Sequence, residues 1–515
     1  MPGIEPTGRL PSLKHPSRWL YISIVAAYLI LATAGVLSLA PWCDEGWFSD
    51  PAWNLMTHGV MANSALDPTA TWRDVNLNGI NRHTYWIMPL YVLAEVAWFK
   101  LTGFGLLQLR FLSTVCGLVL LFAWYRITLE LTSDRPFAVC SLAFLAVDFN
   151  MTFAASAGRM DMMTVALGSL GVAAYLHQRG VSYARALLLS NGLTAAALMT
   201  HPNGVFFVVD VWFLALWLDR SRLFQLRSLL CLILPYAVAV GGWGLYIAKA
   251  PDLFAAQFIG NVGGSGGRFL VLTHPIHALR SEIVDRYLAS FGISPFSTGV
   301  SRIKVFILCA YATSAIALFA SRTLRSRTGY RLLAGLFLIH ATMLALTDGF
   351  KQSFYMIYVE PLWAAALAAF VVHCWRVMPK RRQILAVIAV ALLSIHVTVT
   401  AGRFWKNAYM NRFLPAAEFV QRLRSSGRSV MASSEMAFRL GFGPTFIDDY
   451  RLGYRSGKHP DIIVLDEARY QPWIALLAKQ DPQNYWFIQR LLASEYSLVY
   501  NRAGYVIYER TARSE

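Results

Sequence analysis

The chain has 515 residues, 56% of them hydrophobic, with a mean hydropathy of +0.45 and a formal charge of +17. Apolar runs of about twenty residues, the length a helix needs to cross a hydrocarbon core of roughly 30 Å, recur along most of it and exclude a soluble globular enzyme. The positive charge sits in short loops between those runs (Arg220, Arg222 and Arg227, Arg322 to Arg331, Lys380 to Arg382), which is the positive-inside bias of cytoplasmic loops and not a nucleic-acid footprint.

The apolar stretches predict spans at about 19–40, 84–104, 107–129, 136–155, 162–178, 183–199, 203–219, 228–249, 302–321, 331–347, 354–375 and 382–402. The first, Trp19 to Ala40, follows Arg9, Lys14 and Arg18. It is too long for a signal-peptide core and has no clear cleavage site, so it reads as a retained span. Loop charge then places the N-terminus in the cytoplasm and puts the polar stretches 41–83 and 250–301, together with Arg159 to Asp161, on the outer face. Lys380 to Arg382 inside make the last span exit outward. Twelve full spans would return the tail to the cytoplasm, so one segment between 84 and 155 is expected to be a half-span, a re-entrant piece or part of a neighbour, leaving eleven full spans.

The fold class is therefore a polytopic α-helical membrane protein of about 11–13 spans over residues 1–402, followed by a small external α/β domain at 403–515. In that tail, 429–434 and 461–467 are strand-like, 416–426 and 484–494 have helical spacing, and 496–510 reads as a hairpin turning near Asn501 to Gly504. The six cysteines (Cys43, Cys116, Cys140, Cys231, Cys309, Cys374) show no CxxC and no metal spacing, and read as small apolar residues.

Candidate functional residues concentrate at the outer ends of spans. "CDEGWFSDPAWNLMTHGVM" (43–61) sets Asp44 and Glu45 beside hydrocarbon, where a carboxylate is costly and functional by default. Trp47, Trp53, Met56 and Val60 have the spacing of a helix lying in the headgroup region. "GRMDMM" (158–163) adds Arg159 and Asp161 on the same side, either as an ion pair at a helix N-terminus or as part of a site. Arg82 and His83 close the first outer loop, where an arginine fork can hold phosphate. Glu95, inside an apolar run, reads as a buried contact between helices.

The second outer loop, "GNVGGSGGRFLVLTHPIHALRSE" (260–282), carries Arg268, His274, His277 and Arg280. Its glycines lack the GK[ST] of a phosphate loop, and two histidines alone are weak grounds for a metal. "DGFKQSFYMIYVEPLW" (348–363) offers Lys351, Tyr355 and Tyr358, which are either interfacial anchors or phosphate ligands.

Taken together, these motifs resemble the GT-C class of membrane glycosyltransferases, in the branch of the aminoarabinose transferases and protein O-mannosyltransferases. The first-loop Asp–Glu and its amphipathic helix, "MPLYVLAEVAWFKLTGFG" at Pro89 to Gly103, "RMDMM" and "FYMIYVEPLW" carry the likeness in order and spacing over about residues 19–402. Ile87 stands where those enzymes often carry Lys or His. The resemblance implies a polyprenyl-phosphate sugar donor, used on the outer face of a bacterial cytoplasmic membrane. The acceptor would be a cell-envelope glycolipid, a polysaccharide or a protein. It also implies a first-loop aspartate, here Asp44, as base or acceptor-positioning group, with Asp161 as the second acidic position.

The residues fit that chemistry by themselves. Sugar transfer from a phosphate needs a base for the acceptor hydroxyl and cations for the departing phosphate; Asp44 can serve as the first, and Arg82, Arg159, Arg268, Arg280 or Lys351 as the second. The lipid phosphate is a stable leaving group, so no nucleotide-binding fold is required and none is visible; a divalent metal ion is left open as a cofactor. The rival is a transporter or flippase, which would place its charges at mid-membrane within repeats.

Overall fold

The computed structural model describes residues 17–69, 76–263, 273–294, 299–424 and 427–511. Every predicted span is helical, with breaks inside 136–155 and 354–375. Among the described residues six helices are long and apolar enough to cross a membrane, or seven if the bent pair Arg135–Val147 and Phe149–Ser156 counts as one. The chain is an integral membrane protein. The remaining predicted spans are helices too short or too polar to meet that length-and-composition test.

The expected half-span region has two breaks. Helix Pro89–Thr102 has 14 residues, about 21 Å at 1.5 Å per residue, well short of a bilayer core. Downstream, the pair 135–147 and 149–156 bends by 57°. Asp148 stands at that bend because its carboxylate caps the second helix, accepting from the Asn150 and Met151 N–H groups at 2.8 and 2.9 Å. Its other oxygen accepts from the Tyr311 hydroxyl at 2.9 Å, so the charge is satisfied inside the bundle.

Helix Met160–Gln178 lies at the centre of the bundle, and its small residues explain how. A Cβ at Gly168 would collide with the Phe207 ring, and one at Gly171 would press on Ser190 and Thr194. Helix Leu226–Ile247 is the opposite case: only 6% of its apolar window is buried, as suits a helix whose outer surface meets lipid instead of protein.

The C-terminal domain, which loop charge predicts to be external, is a five-stranded sheet in the order β2-β1-β3-β5-β4, with β1 Val430–Met431, β2 Phe446–Ile447, β3 Ile462–Asp466, β4 Tyr496–Arg502 and β5 Tyr505–Arg510. β1 runs parallel to β2 and β3; β5 is antiparallel to β3 and β4. The predicted hairpin turns at Ala503 and Gly504, both at positive φ, as a two-residue turn between twisted strands requires. Helices Leu414–Leu423 and Pro482–Glu495 match the predicted periodicity. Strand β2 and helix Glu467–Gln480 were not anticipated, since two residues and a weakly apolar stretch carry little periodic signal.

One expectation needs correction. Helix Cys43–His58 does not float in the headgroup region. It is wedged between helix Pro89–Thr102 and the external domain, with Gly46, Phe48, Ser49, Asp50 and Ala52 all buried. A Cβ at Gly46 would collide with the Ser434 backbone. The Trp47 indole N–H donates to Asp448 Oδ2 at 2.8 Å, and the Trp53 ring packs on Phe442. The tryptophans that suggested a membrane surface serve a domain interface, because an amphipathic face is satisfied equally well by protein. Glu95 is the interhelical contact anticipated, accepting from the Ser49 hydroxyl at 3.1 Å.

Burial at this interface raises the pKa of Glu435 to about 7 and that of Asp448 to about 6. A carboxyl raised on folding contributes stability that is fully present below its unfolded pKa, about 4, and is lost as pH rises through its folded value. Docking of the external domain is therefore expected to be firmer at pH 5 than at pH 8. Limited proteolysis of the intact protein at the two values checks this, and equal or faster cleavage at pH 5 contradicts it.

Candidate active site

The site is built on a buried clamp. Arg110, 1% exposed, donates Nε to Glu45 Oε1 at 2.7 Å and Nη2 to Glu45 Oε2 at 2.8 Å. Its Nη1 bonds the carbonyls of Val36 and Leu39, both at 3.0 Å, tying down the end of the first helix. Glu45 also accepts from the Trp42 and Gly158 N–H groups, each at 2.9 Å. Both carboxylate oxygens are thus occupied, and Glu45 does not line the cavity described next. Its geometry is that of an anchor joining the first outer loop to the 158–161 turn, not of the substrate-binding group expected.

The clamp sets Asp44 and Arg159 face to face. Asp44 Oδ2 pairs with Arg159 Nη1, and Arg159 Nε donates to Asp161 Oδ2 at 3.0 Å. The guanidinium is 3.8 Å from the centre of the Phe354 ring and about 5.5 Å from Trp42 and Phe48, an aromatic cage that holds it by cation–π attraction. Asp161 is buried and accepts from the Tyr358 hydroxyl at 3.2 Å. Segments 43–45 and 158–161, assigned to one side of the membrane from loop charge alone, meet here with segment 353–358.

Asp44 and Arg159 line a cavity of about 820 Å³ between the outer loops and the external domain. Trp47, Trp86, Phe258 and Phe350 give it an apolar wall, and His201, Gln257 and Tyr355 add polar atoms from the membrane domain. The external domain closes it with Asp448, Tyr450, Arg469 and Trp473. Arg469 pins that closure, donating to the Pro41 carbonyl at 2.5 Å and pairing with Glu435 at 3.2 Å.

Several expected site residues lie elsewhere. Lys351 is buried in a charge cluster, donating to the Ala345 carbonyl at 2.6 Å and pairing with Glu282 at 3.2 Å, beside the Arg286–Asp348 pair. Tyr358 faces Asp161 and not the cavity. Arg82 is exposed; His83 is half-buried against Tyr85 and Tyr246, and burial with Lys249 and Arg82 nearby lowers its pKa. None of these lines the cavity, and neither do His274 and Arg280, which are exposed on or just before the short helix Pro275–Ser281. Arg268 falls outside the described residues.

By sequence the chain matches no family model and no curated protein. By structure it matches ArnT from Cupriavidus metallidurans bound to undecaprenyl phosphate, with a TM-score of 0.58 and 12% identity over 97% of this chain and 99% of that one. The apo form of the same protein matches at 0.58 and 13%. The oligosaccharyltransferase AglB from Archaeoglobus fulgidus, in complex with an inhibitory peptide and a dolichol-phosphate, matches at 0.50 and 12% over 97% of this chain and 75% of that one.

The chain has the GT-C fold.

Within this GT-C fold the acidic positions do not make a metal site. Arg159 sits between Asp44 and Asp161, so the two carboxylates face a fixed guanidinium instead of converging on an open cation position. Among the described residues no three His, Cys, Asp or Glu side chains come together to hold an ion. The donor set does not fit a divalent metal.

Two groups of residues escaped the sequence reading. Arg110 had a usable signal, since an arginine inside an apolar run needs a buried partner or a function. The cavity residues of the external domain had none: nothing local to Asp448, Tyr450, Arg469 or Trp473 says which surface of the GT-C membrane domain they will face.

Proposed function

We propose that this protein is a glycosyltransferase that takes a sugar from a polyprenyl-phosphate donor and passes it to an acceptor hydroxyl on the outer face of the membrane. The observation that carries this reading is the Asp44–Arg159 pair at the wall of a large cavity, between membrane and external domains of the GT-C fold. The full-length likeness to ArnT bound to undecaprenyl phosphate supports a lipid phosphate as the carrier.

The residues divide the work as follows. The donor phosphate competes with Asp44 for the Arg159 guanidinium, whose planar fork suits phosphate as well as carboxylate. Its arrival frees Asp44 to take the proton of the acceptor hydroxyl. The acceptor oxygen bonds the anomeric carbon while the bond from that carbon to the phosphate oxygen breaks, its electron pair leaving on the phosphate. Arg159 neutralises the charge that develops there, in a cage of Phe354, Trp42 and Phe48 that keeps the guanidinium in place and strengthens its field. The apolar wall takes the first part of the polyprenyl chain. A glycolipid, a polysaccharide or a protein of the bacterial envelope is the acceptor.

Purified protein in liposomes, given an undecaprenyl-phosphate-linked hexose or pentose and an envelope extract as acceptor, is expected to release undecaprenyl phosphate and label the acceptor. Movement of the lipid across the bilayer with no sugar transfer would overturn the reading in favour of a flippase.

A further inference from the structure

Deep in the bundle, outside the cavity, His340 of helix Thr328–Thr347 joins two groups. Its Nδ1 lies 2.6 Å from the Tyr358 carbonyl and its Nε2 lies 2.7 Å from Asp210 Oδ2, both within hydrogen-bond reach. A carbonyl can only accept, so Nδ1 carries a proton. The contact to Asp210 then holds one further proton, on either partner, and the pair is neutral as a whole. Phe206 and Phe207, from the helix that carries Asp210, meet the imidazole edge-on at 5.6 and 5.2 Å and fix its plane.

The Tyr358 carbonyl is an unusual thing to find at the end of this tether. In a continuous helix it would accept from residue 362, but the Leu362 N–H bonds the Val359 carbonyl instead, and residue 361 is proline, with no N–H at all. The helical turn Ser353–Tyr358 therefore ends on a buried carbonyl without a main-chain donor, and His340 supplies the donor. That turn carries Phe354 against the Arg159 guanidinium, Tyr355 in the cavity wall and the Tyr358 hydroxyl on Asp161.

We propose that the Asp210–His340 pair is a positioning device for the active site: by holding the Tyr358 carbonyl, it sets the 353–358 turn so that Phe354 and Tyr358 keep Arg159 and Asp161 in register with Asp44. This rests on the transferase reading for its effect on rate, but not for its geometry. The test uses full-length protein in liposomes with the undecaprenyl-phosphate-linked sugar, together with cryo-electron microscopy of the ligand-free variants. His340→Leu removes both bonds and is expected to lower kcat about tenfold or more, with a smaller change in KM for the donor, since Tyr355 and Phe354 shift with the turn while Trp47, Trp86, Phe258 and Phe350 of the cavity wall stay in place. His340→Asn keeps an N–H near the Nδ1 position and is expected to recover most of the loss.

In the His340→Leu structure the Tyr358 hydroxyl is expected to leave Asp161. An unmoved 353–358 turn in that variant overturns the proposal whether or not transfer is detected. So does unchanged kcat, or equal loss in both variants. If the wild-type protein transfers nothing while the turn shifts as described, the transferase reading fails and the positioning role stands.

Discussion

Asp44→Asn is expected to reduce sugar transfer by roughly 100-fold or more, the usual worth of a positioned general base, while leaving the fold and lipid binding intact. The substitution is nearly isosteric and keeps an oxygen facing Arg159, so the 158–161 turn has no reason to move. What it removes is the ability to accept a proton once phosphate has taken the place of Asp44 on the guanidinium. The measurement is kcat for transfer, with thermal unfolding and undecaprenyl phosphate binding as controls. Wild-type kcat in a well-folded variant would remove Asp44 from the chemistry. Arg159→Lys is the companion: it keeps a charge but loses the fork, and its binding of undecaprenyl phosphate should weaken as well as its rate.

The second large effect is structural. Arg110→Met strands Glu45 as an unpaired carboxylate at a site where it is 2% exposed. Breaking a buried pair from one side costs about 3–5 kcal/mol, against a total stability of about 5–15 kcal/mol for an ordinary domain. The variant should therefore lose activity through misplacement of the first outer loop and survive heating poorly. Pairing it with Glu45→Leu removes the stranded charge, so the double variant should be more heat-resistant than Arg110→Met alone. Heat resistance of Arg110→Met equal to wild type would show that the clamp does not hold the loop. Residual activity after a fixed heat step is the right measure, because large membrane proteins unfold irreversibly.

How much of this was legible beforehand differs from residue to residue. Asp44, Arg159 and Asp161 were visible because a charged residue at a span end stands out against apolar neighbours, and loop charge alone put all three on one face. Glu45 and Lys351 were substrate-binding candidates by the same criterion, Glu45 the weaker member of its pair. They differ only in their partners: Arg110 is 65 residues from Glu45, and Lys351 meets Glu282 across two segments of the fold. The tryptophans of the first loop were legible as an amphipathic face but not as to what covers it. His340 and Asp210 read as isolated polar residues in apolar helices, and their link to the site runs through a main-chain carbonyl, which no side-chain pattern reports.

By itself, then, the sequence determined the membrane class, the positions of the apolar spans, the hairpin of the C-terminal domain and the charged residues Asp44, Arg159 and Asp161 at the span ends. These follow from local periodicity and from the cost of burying charge in hydrocarbon, both of which act over a few residues. Only the tertiary structure decided that Glu45 is an anchor, that Trp47 meets Asp448 across 401 residues of chain, and that the external domain forms one wall of the cavity. Those outcomes depend on which of several chemically adequate partners the packing of the bundle brings within 3 Å, and nothing in the neighbourhood of either residue encodes that choice.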